Sequence, residues 1–240
     1  MSETRKAIAI VAAMQREVAP LVKGWHRIQC DYEGRRYEFF ENRDRVLICG
    51  GIGAEAARRA AQATIALYQP ERIISAGFAG SLHRAVRVGH VFRPAMVVDA
   101  GDCSRLTTTG GEGVLVSFKT VAGAAQKSKL AAAFSGQAVD MEAAAVGAAA
   151  AIAGIEFSAI KAISDDLEFE MPMMERFMDG AGQFQTARFA LAVAVRPWLW
   201  RQMAQLALNS GIASRALCRQ LERESRRTAD GVALNSIRAG

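Results

Sequence analysis

The stretch AVDMEAAAVGAAAAIAGIEFSAIKAISDD, residues 138–166, sets acids at both ends of a run otherwise fit for burial. Asp140 and Glu142 stand before the alanines, and Asp165 and Asp166 stand after them. Carboxylates are the side chains here with the means for chemistry. The three histidines, His26, His83 and His90, lie at no ligand spacing, and the four cysteines form no C-x-x-C pair. Neither a metal site nor a histidine-based triad fits such a chain, so acid–base work falls to Asp and Glu, with backbone groups beside them.

The elements around these acids explain how they can meet. Residues 7–12 read as a short buried strand, with a helix beginning near Glu17. Residues 37–42 and 45–50 read as paired strands joined by the turn ENRD, and GGIGAEAARRAAQATIALY as a glycine-opened amphipathic helix. RIISAGFAG is a strand running into a glycine turn. Residues 90–100 and 114–118 are further strands, 124–133 a helix, and a helix from about Met141 leads into a strand over 156–163. This alternation predicts an α/β fold, a three-layer αβα sandwich with a mixed, largely parallel sheet. The chain after residue 195 reads as a C-terminal helical extension of the same domain, in two helices (196–209 and 211–227) parted by NSG and followed by a frayed tail. The domain organisation is then 1–195 for the α/β unit and 196–240 for the extension.

In such a fold, helix N-termini and the C-terminal ends of parallel strands share one sheet edge, where ligands bind. Glu142 belongs to a helix first turn and Asp165 to a strand exit, so both open on that edge. Glu17, Gly53 and the glycines from Gly77 to Gly80 join them. The alanines then let the helix lie close to the sheet and mount its acids firmly. Plainer roles stay open: Asp140 and Asp165 as caps, and Glu142 as a partner of the helix dipole.

Composition limits the rest. Of 240 residues, 51% are apolar and 22% charged, a globular profile. The start MSETRKAIAIVAAMQREV has too short an apolar run, and an acid too early, for a secretory signal. Scattered cysteines fit reduced thiols and a cytoplasmic setting. The net charge of +6 is concentrated from Arg196 onward, where eight arginines face three acids. A nearly neutral body argues against a nucleic-acid partner. Arg215, Arg219 and Arg223 recur on one helix face and Leu217 and Leu221 on another, a pattern that suits peripheral contact with an anionic membrane face, or simply a solvated helix or support for a dimer.

AIAIVAAMQREVAPL, CGGIGAEAA, SAGFAGSL with VRVGHV, VDMEAAAV and IKAISDD match, in order, the signature segments of the nucleoside phosphorylase/nucleosidase superfamily. The chain most resembles the methylthioadenosine/S-adenosylhomocysteine nucleosidases. Within the superfamily it is similar to a hopanoid-associated branch that cleaves adenine from adenosylhopane. The resemblance covers residues 5–166; the narrower likeness rests on the short connection between Ala100 and Val114 and on FEMPMMERFMDGAGQF…RPWLW.

The resemblance implies an N-glycosidase of a 5′-substituted adenosine. Asp165 would protonate adenine at N7 and Glu17 would activate water. Glu142 would accept hydrogen bonds from the ribose hydroxyls, and Met141 would pack on the sugar, with Gly53, Gly77, Phe78 and Ser164 completing the site. Asp166 beside a half-buried Asp165 would raise its pKa, while a helix N-terminus would keep Glu142 ionised. No metal or organic cofactor is implied, and a two-fold homodimer is expected. Phe78 replaces a small hydroxyl residue usual in the nucleosidases, and Lys161 replaces a common arginine. A phosphorylase would need an arginine clamp, for which Arg16, Arg58 and Arg84 are the candidates; Glu17 next to Arg16 favours water. Phe78, Phe169, Met173 and Phe177 would wall an apolar channel for a lipid-like 5′ group, or else pack a core or subunit interface. A purine nucleoside phosphorylase, a methylthioadenosine nucleosidase, and a non-catalytic adenosine- or lipid-binding protein are the alternatives.

Overall fold

The computed structural model describes residues 6–169 and 197–238. Met173, Phe177 and the 195/196 boundary lie outside them. Among the described residues, eleven strands form one mixed sheet. β1 (Ile8–Ala12) lies between β4 (Arg45–Cys49) and β5 (Arg72–Ser81), parallel to both. β11 (Glu156–Asp165) runs parallel to β5 along nearly its whole length. A second parallel block joins β7 (Met96–Asp99), β9 (Val114–Ser117) and β10 (Ala138–Asp140). It meets the first where β10 runs antiparallel to Gly80 and Ser81 of β5. Antiparallel edges complete the sheet: β2 (His26–Tyr32) and β3 (Arg35–Asn42) beside β4, the short β8 (Arg105–Thr107) on β7, and β6 (Val91–Phe92) on β11.

Helices cover both faces, giving three layers. On one face α2 (Ala54–Tyr68) and α4 (Ala143–Ala153) pack their alanines against Ala9, Val11, Ile73, Ala159 and Ile163. The small side chains bring α4 close. A side-chain carbon at Gly147 would come within 2.7 Å of the Phe157 ring, so the helix rests almost on the sheet. On the other face α1 (Gln15–Val22) and the C-terminal helix α5 (Pro197–Arg238) bury Val18, Leu21, Ala213, Leu217 and Leu221 against Ile10, Ile74 and Ile160. α3 (Ala124–Phe134) closes a smaller cluster with Leu82, Val116 and Val139.

Three expectations change. The C-terminal segment is one helix of 42 residues, not two, and it continues to Arg238. One glycine in a helix costs only about 1 kcal/mol, and burial of Ala213, Leu217, Cys218 and Leu221 outweighs that at Gly211. The strand expected over 90–100 is two, β6 and β7, because Pro94 between them has no N–H for a ladder. α4 begins at Ala143, so Glu142 is its N-cap residue rather than part of its first turn. No helix among the described residues is long and apolar enough to cross a membrane.

Candidate active site

β1, β5, β10 and β11 all end toward the same cleft, of about 880 Å³ counted out to its open mouth. Glu17, Glu142 and Asp165 line it together, with Met141, Phe78, Ser164 and Phe169 among its walls. Ile52, Val121, Val139 and Leu206 add apolar surface, and Arg16 and Lys127 also reach it. The three acids, 125 and 23 residues apart along the chain, thus share one space.

Each acid is fixed by its local structure. Glu17 sits in the first turn of α1, where Oε2 accepts the backbone N–H groups of Ala13 (3.1 Å) and Met14 (3.0 Å). Oε1 has the longer bond from the Phe78 N–H, 3.3 Å. Gly77 lies against this carboxylate, where a side-chain carbon would come 3.3 Å from Oε2. Burial raises the Glu17 pKa; the Met14 N–H, Lys161, the Phe78 N–H and Arg16 oppose the rise without cancelling it. A carboxylate so raised is suited to take a proton.

Glu142 accepts the Gly53 N–H on Oε1 at 2.8 Å and the Met141 N–H on Oε2 at 3.2 Å. The expectation that a helix N-terminus keeps it fully ionised is corrected. Burial first, then the neighbouring Asp140 carboxylate, push its pKa up to about 7, against the pull of Lys161 and the Gly53 N–H, with Glu17 adding to the rise. Its folded pKa exceeds the ordinary 4.5, so its contribution to stability is whole below that value and is lost as pH rises through about 7. Glu142→Gln removes this loss. Its amide nitrogen cannot accept the second N–H that Glu142 holds, which leaves a loss independent of pH. Relative to the wild type, the variant should gain about 2–4 °C in melting temperature for each kcal/mol recovered as pH rises from 4.5 to 8.5. Melting curves with the same offset at both pH values would refute this assignment.

Asp165 ends β11 beyond an irregularity in register. Ile163 pairs with Ala79 and Asp165 with Gly80, leaving Ser164 as the extra residue. Bulges of this kind re-aim a side chain at a strand end. Ser164 Oγ lies 2.8 Å from Asp165 Oδ1. Besides Asp166, its neighbour in the chain, this acid has the Lys127 ammonium 2.5 Å from Oδ2. Asp166 offers its backbone carbonyl to the same lysine.

Lys161 stands behind the site, in β11, with its side chain 1% exposed. It pairs with Asp140 Oδ2 at 2.8 Å and donates to Ser75 Oγ at 3.0 Å. Burial pulls the Lys161 pKa down, but Asp140, Glu142 and Glu17 together outweigh it and leave it raised. Asp140 does cap α4, accepting the Ala143 N–H at 2.9 Å, and so keeps the plainer role that its position allowed. Of the three arginines weighed as a phosphate clamp, Arg58 is tied to Glu55 and Arg84 to Glu168 on the surface. Arg16 alone among them lines the cleft. Lys127 is the site residue that sequence reasoning misses, although its spacing with Leu130, Ala131 and Phe134 on one face of α3 marks it as inward. Among the described residues, no group of three or more His, Cys, Asp or Glu is arranged to hold a metal ion.

A three-layer sandwich with a carboxylate-lined cleft at its strand ends defines a class of α/β proteins that bind small molecules at the sheet edge. The family model described as the phosphorylase superfamily matches residues 7–117 and 109–195, and the chain belongs to that family. Its fold is similar to Helicobacter pylori 5′-methylthioadenosine/S-adenosylhomocysteine nucleosidase, solved with butyl-thio-DADMe-Immucillin-A (TM-score 0.65, 16% identity, 92% of this chain and 99% of that one). It is also similar to a futalosine hydrolase mutant of Helicobacter pylori (0.59, 18%, 68% and 92%). Streptococcus pyogenes S-adenosylhomocysteine nucleosidase, in complex with 5-methylthiotubericidin, matches with 0.59, 22%, 70% and 86%. No curated protein matches the sequence.

Proposed function

We propose that the chain is an N-glycosidase that releases adenine from a 5′-substituted adenosine, with water as nucleophile. The observation that carries this reading is the convergence of Glu17, Glu142 and Asp165, from three separate elements, on one apolar-walled cleft. As the C1′–N9 bond breaks, its electron pair passes to the purine and Asp165 gives a proton to N7. The sugar left behind has oxocarbenium character, which nearby carboxylates stabilise. Glu17 takes a proton from water as the oxygen bonds to C1′, giving adenine and the free sugar. Both oxygens of Glu142 accept one backbone N–H each and retain lone pairs for the ribose hydroxyls. The solved nucleosidases of like fold act on substrates of this kind, which supports the reading.

The 5′ substituent is proposed to be long and apolar, as in adenosylhopane of hopanoid lipid synthesis. Phe78, Phe169, Ile52 and Leu206 line the cleft and favour such a group. The outward face of α5 suits a substrate held at an anionic membrane, since Arg215, Arg219 and Arg223 are exposed beyond Leu208 and Ile212. One assay tests these points together. Adenine release should proceed without phosphate and yield the free sugar, and a 5′-adenosyl lipid in anionic vesicles should outcompete methylthioadenosine and carry the chain into the vesicle pellet. A sugar 1-phosphate formed only with phosphate would replace water as nucleophile. Preference for the small substrate, or a chain left in the supernatant, would refute the lipid and membrane parts respectively.

A further inference from the structure

Lys127 occupies a place that a solvated lysine does not. Its side chain is 1% exposed, in a helix whose neighbouring Ser128 and Lys129 face solvent. A buried ammonium is costly unless it is paired and hydrogen-bonded. Both of its acceptors lie at the exit of β11: Oδ2 of Asp165, at 2.5 Å, and the carbonyl of Asp166. The space for this pair comes from Gly80, the β5 residue in register with Asp165. A side-chain carbon at Gly80 would stand 2.7 Å from Asp165 Oδ2 and 3.1 Å from Lys127 Cε. A bulge, a bare glycine and a buried cation therefore act on one carboxyl group.

We propose that Lys127 is the positioning residue for Asp165. It holds Oδ2, so that Oδ1, beside Ser164, is the oxygen presented to the purine, and it stabilises the carboxylate that remains once the proton has moved to N7. This rests on the reading of Asp165 as the proton donor. A lysine that merely ties α3 to β11 would support the fold and no particular step. The two roles separate on the leaving group, because a nitrophenolate departs without a proton whereas adenine does not.

Wild type, Lys127→Met, Asp165→Asn and the double variant are compared on methylthioadenosine and on 4-nitrophenyl riboside. Displacement of a catalytic group by about 1 Å can cost on the order of 10²-fold, so K127M should lower kcat for adenine release by about 10- to 10²-fold with KM nearly unchanged. Release of nitrophenolate should stay within about three-fold of wild type, because that step draws nothing from the acid. Adding K127M to D165N should slow adenine release no further. Should K127M fail to fold, Lys127→Gln, which keeps a neutral donor, should show the same split between substrates with a smaller loss. Equal losses on both substrates, additive effects in the double variant, or full K127M activity on the adenosine would each overturn the proposal. A wild type that cleaves neither substrate would instead refute the N-glycosidase reading, and the role of Lys127 would fall with it.

Discussion

Asp165→Asn should lower adenine release by about 10²–10⁴-fold, the range for removal of a positioned general acid. In barrier terms that is roughly 3–5.5 kcal/mol. The substitution keeps shape and most contacts. With its amide oxygen toward the Lys127 ammonium, the asparagine preserves the interaction made by Oδ2, and its NH₂ can face Ser164 Oγ where Oδ1 now lies. A nucleoside should therefore still bind, but the amide has no proton to give N7. The measurement is single-turnover adenine release, alongside the affinity for a non-cleavable adenosine analogue. A rate loss under ten-fold with intact binding would leave Asp165 as no more than the counter-ion of Lys127, and the acid would have to be sought elsewhere in the cleft.

The parts of this molecule that are legible in its sequence are those whose residues carry their own burial signal. IAIVA, RVLIC and EFSAIKAISD are apolar enough to be central strands, and AEAARRAAQATIALY has the helical period that makes α2. Because strand exits and helix starts share an edge, the order of these elements is enough to bring Glu17, Glu142 and Asp165 together. HRIQCDY carries a weaker signal, a short period-2 alternation. β2 is an edge strand whose partly buried Ile28, Cys30 and Tyr32 alternate with exposed polar residues, and its pairing depends on β3 rather than on its own apolar content. β8 and β10, with three residues each, are too short for a period to show. Charge pairing is harder still. Lys127 with Asp165 spans 38 residues and Lys161 with Asp140 crosses from β11 to β10, so neither follows from local pattern. Proximity in the chain shows Asp166 beside Asp165, and only the fold adds Lys127. At Glu142, burial and Asp140 outweigh the helix N-terminus that local sequence makes visible.

The pair formed by Lys161 and Asp140 carries the other large effect. Asp140 has 0% side-chain exposure, and its carboxylate binds three groups: Lys161, the Ser117 hydroxyl at 2.6 Å and the Ala143 N–H at 2.9 Å. Ser117 Oγ in turn accepts the Ala144 N–H. The start of α4, and with it the N-cap residue Glu142, is thus fastened to β9 and β10 through a buried charge whose counter-ion is Lys161. Lys161→Met keeps the stem and removes the ammonium. The remaining hydrogen bonds do not balance a carboxylate out of water, and loss of one partner of a buried pair costs about 3–5 kcal/mol. The melting temperature should fall by about 2–4 °C for each kcal/mol. Adding Asp140→Asn to K161M should restore much of it, because the uncompensated charge is gone while the Ser117 and Ala143 contacts can persist. Thermal unfolding of the two single variants and the double variant measures this coupling directly. If D140N and K161M destabilise additively, the two groups do not act as a pair, and Lys161 contributes through its contact with Ser75 and its field at Glu17 and Glu142 instead.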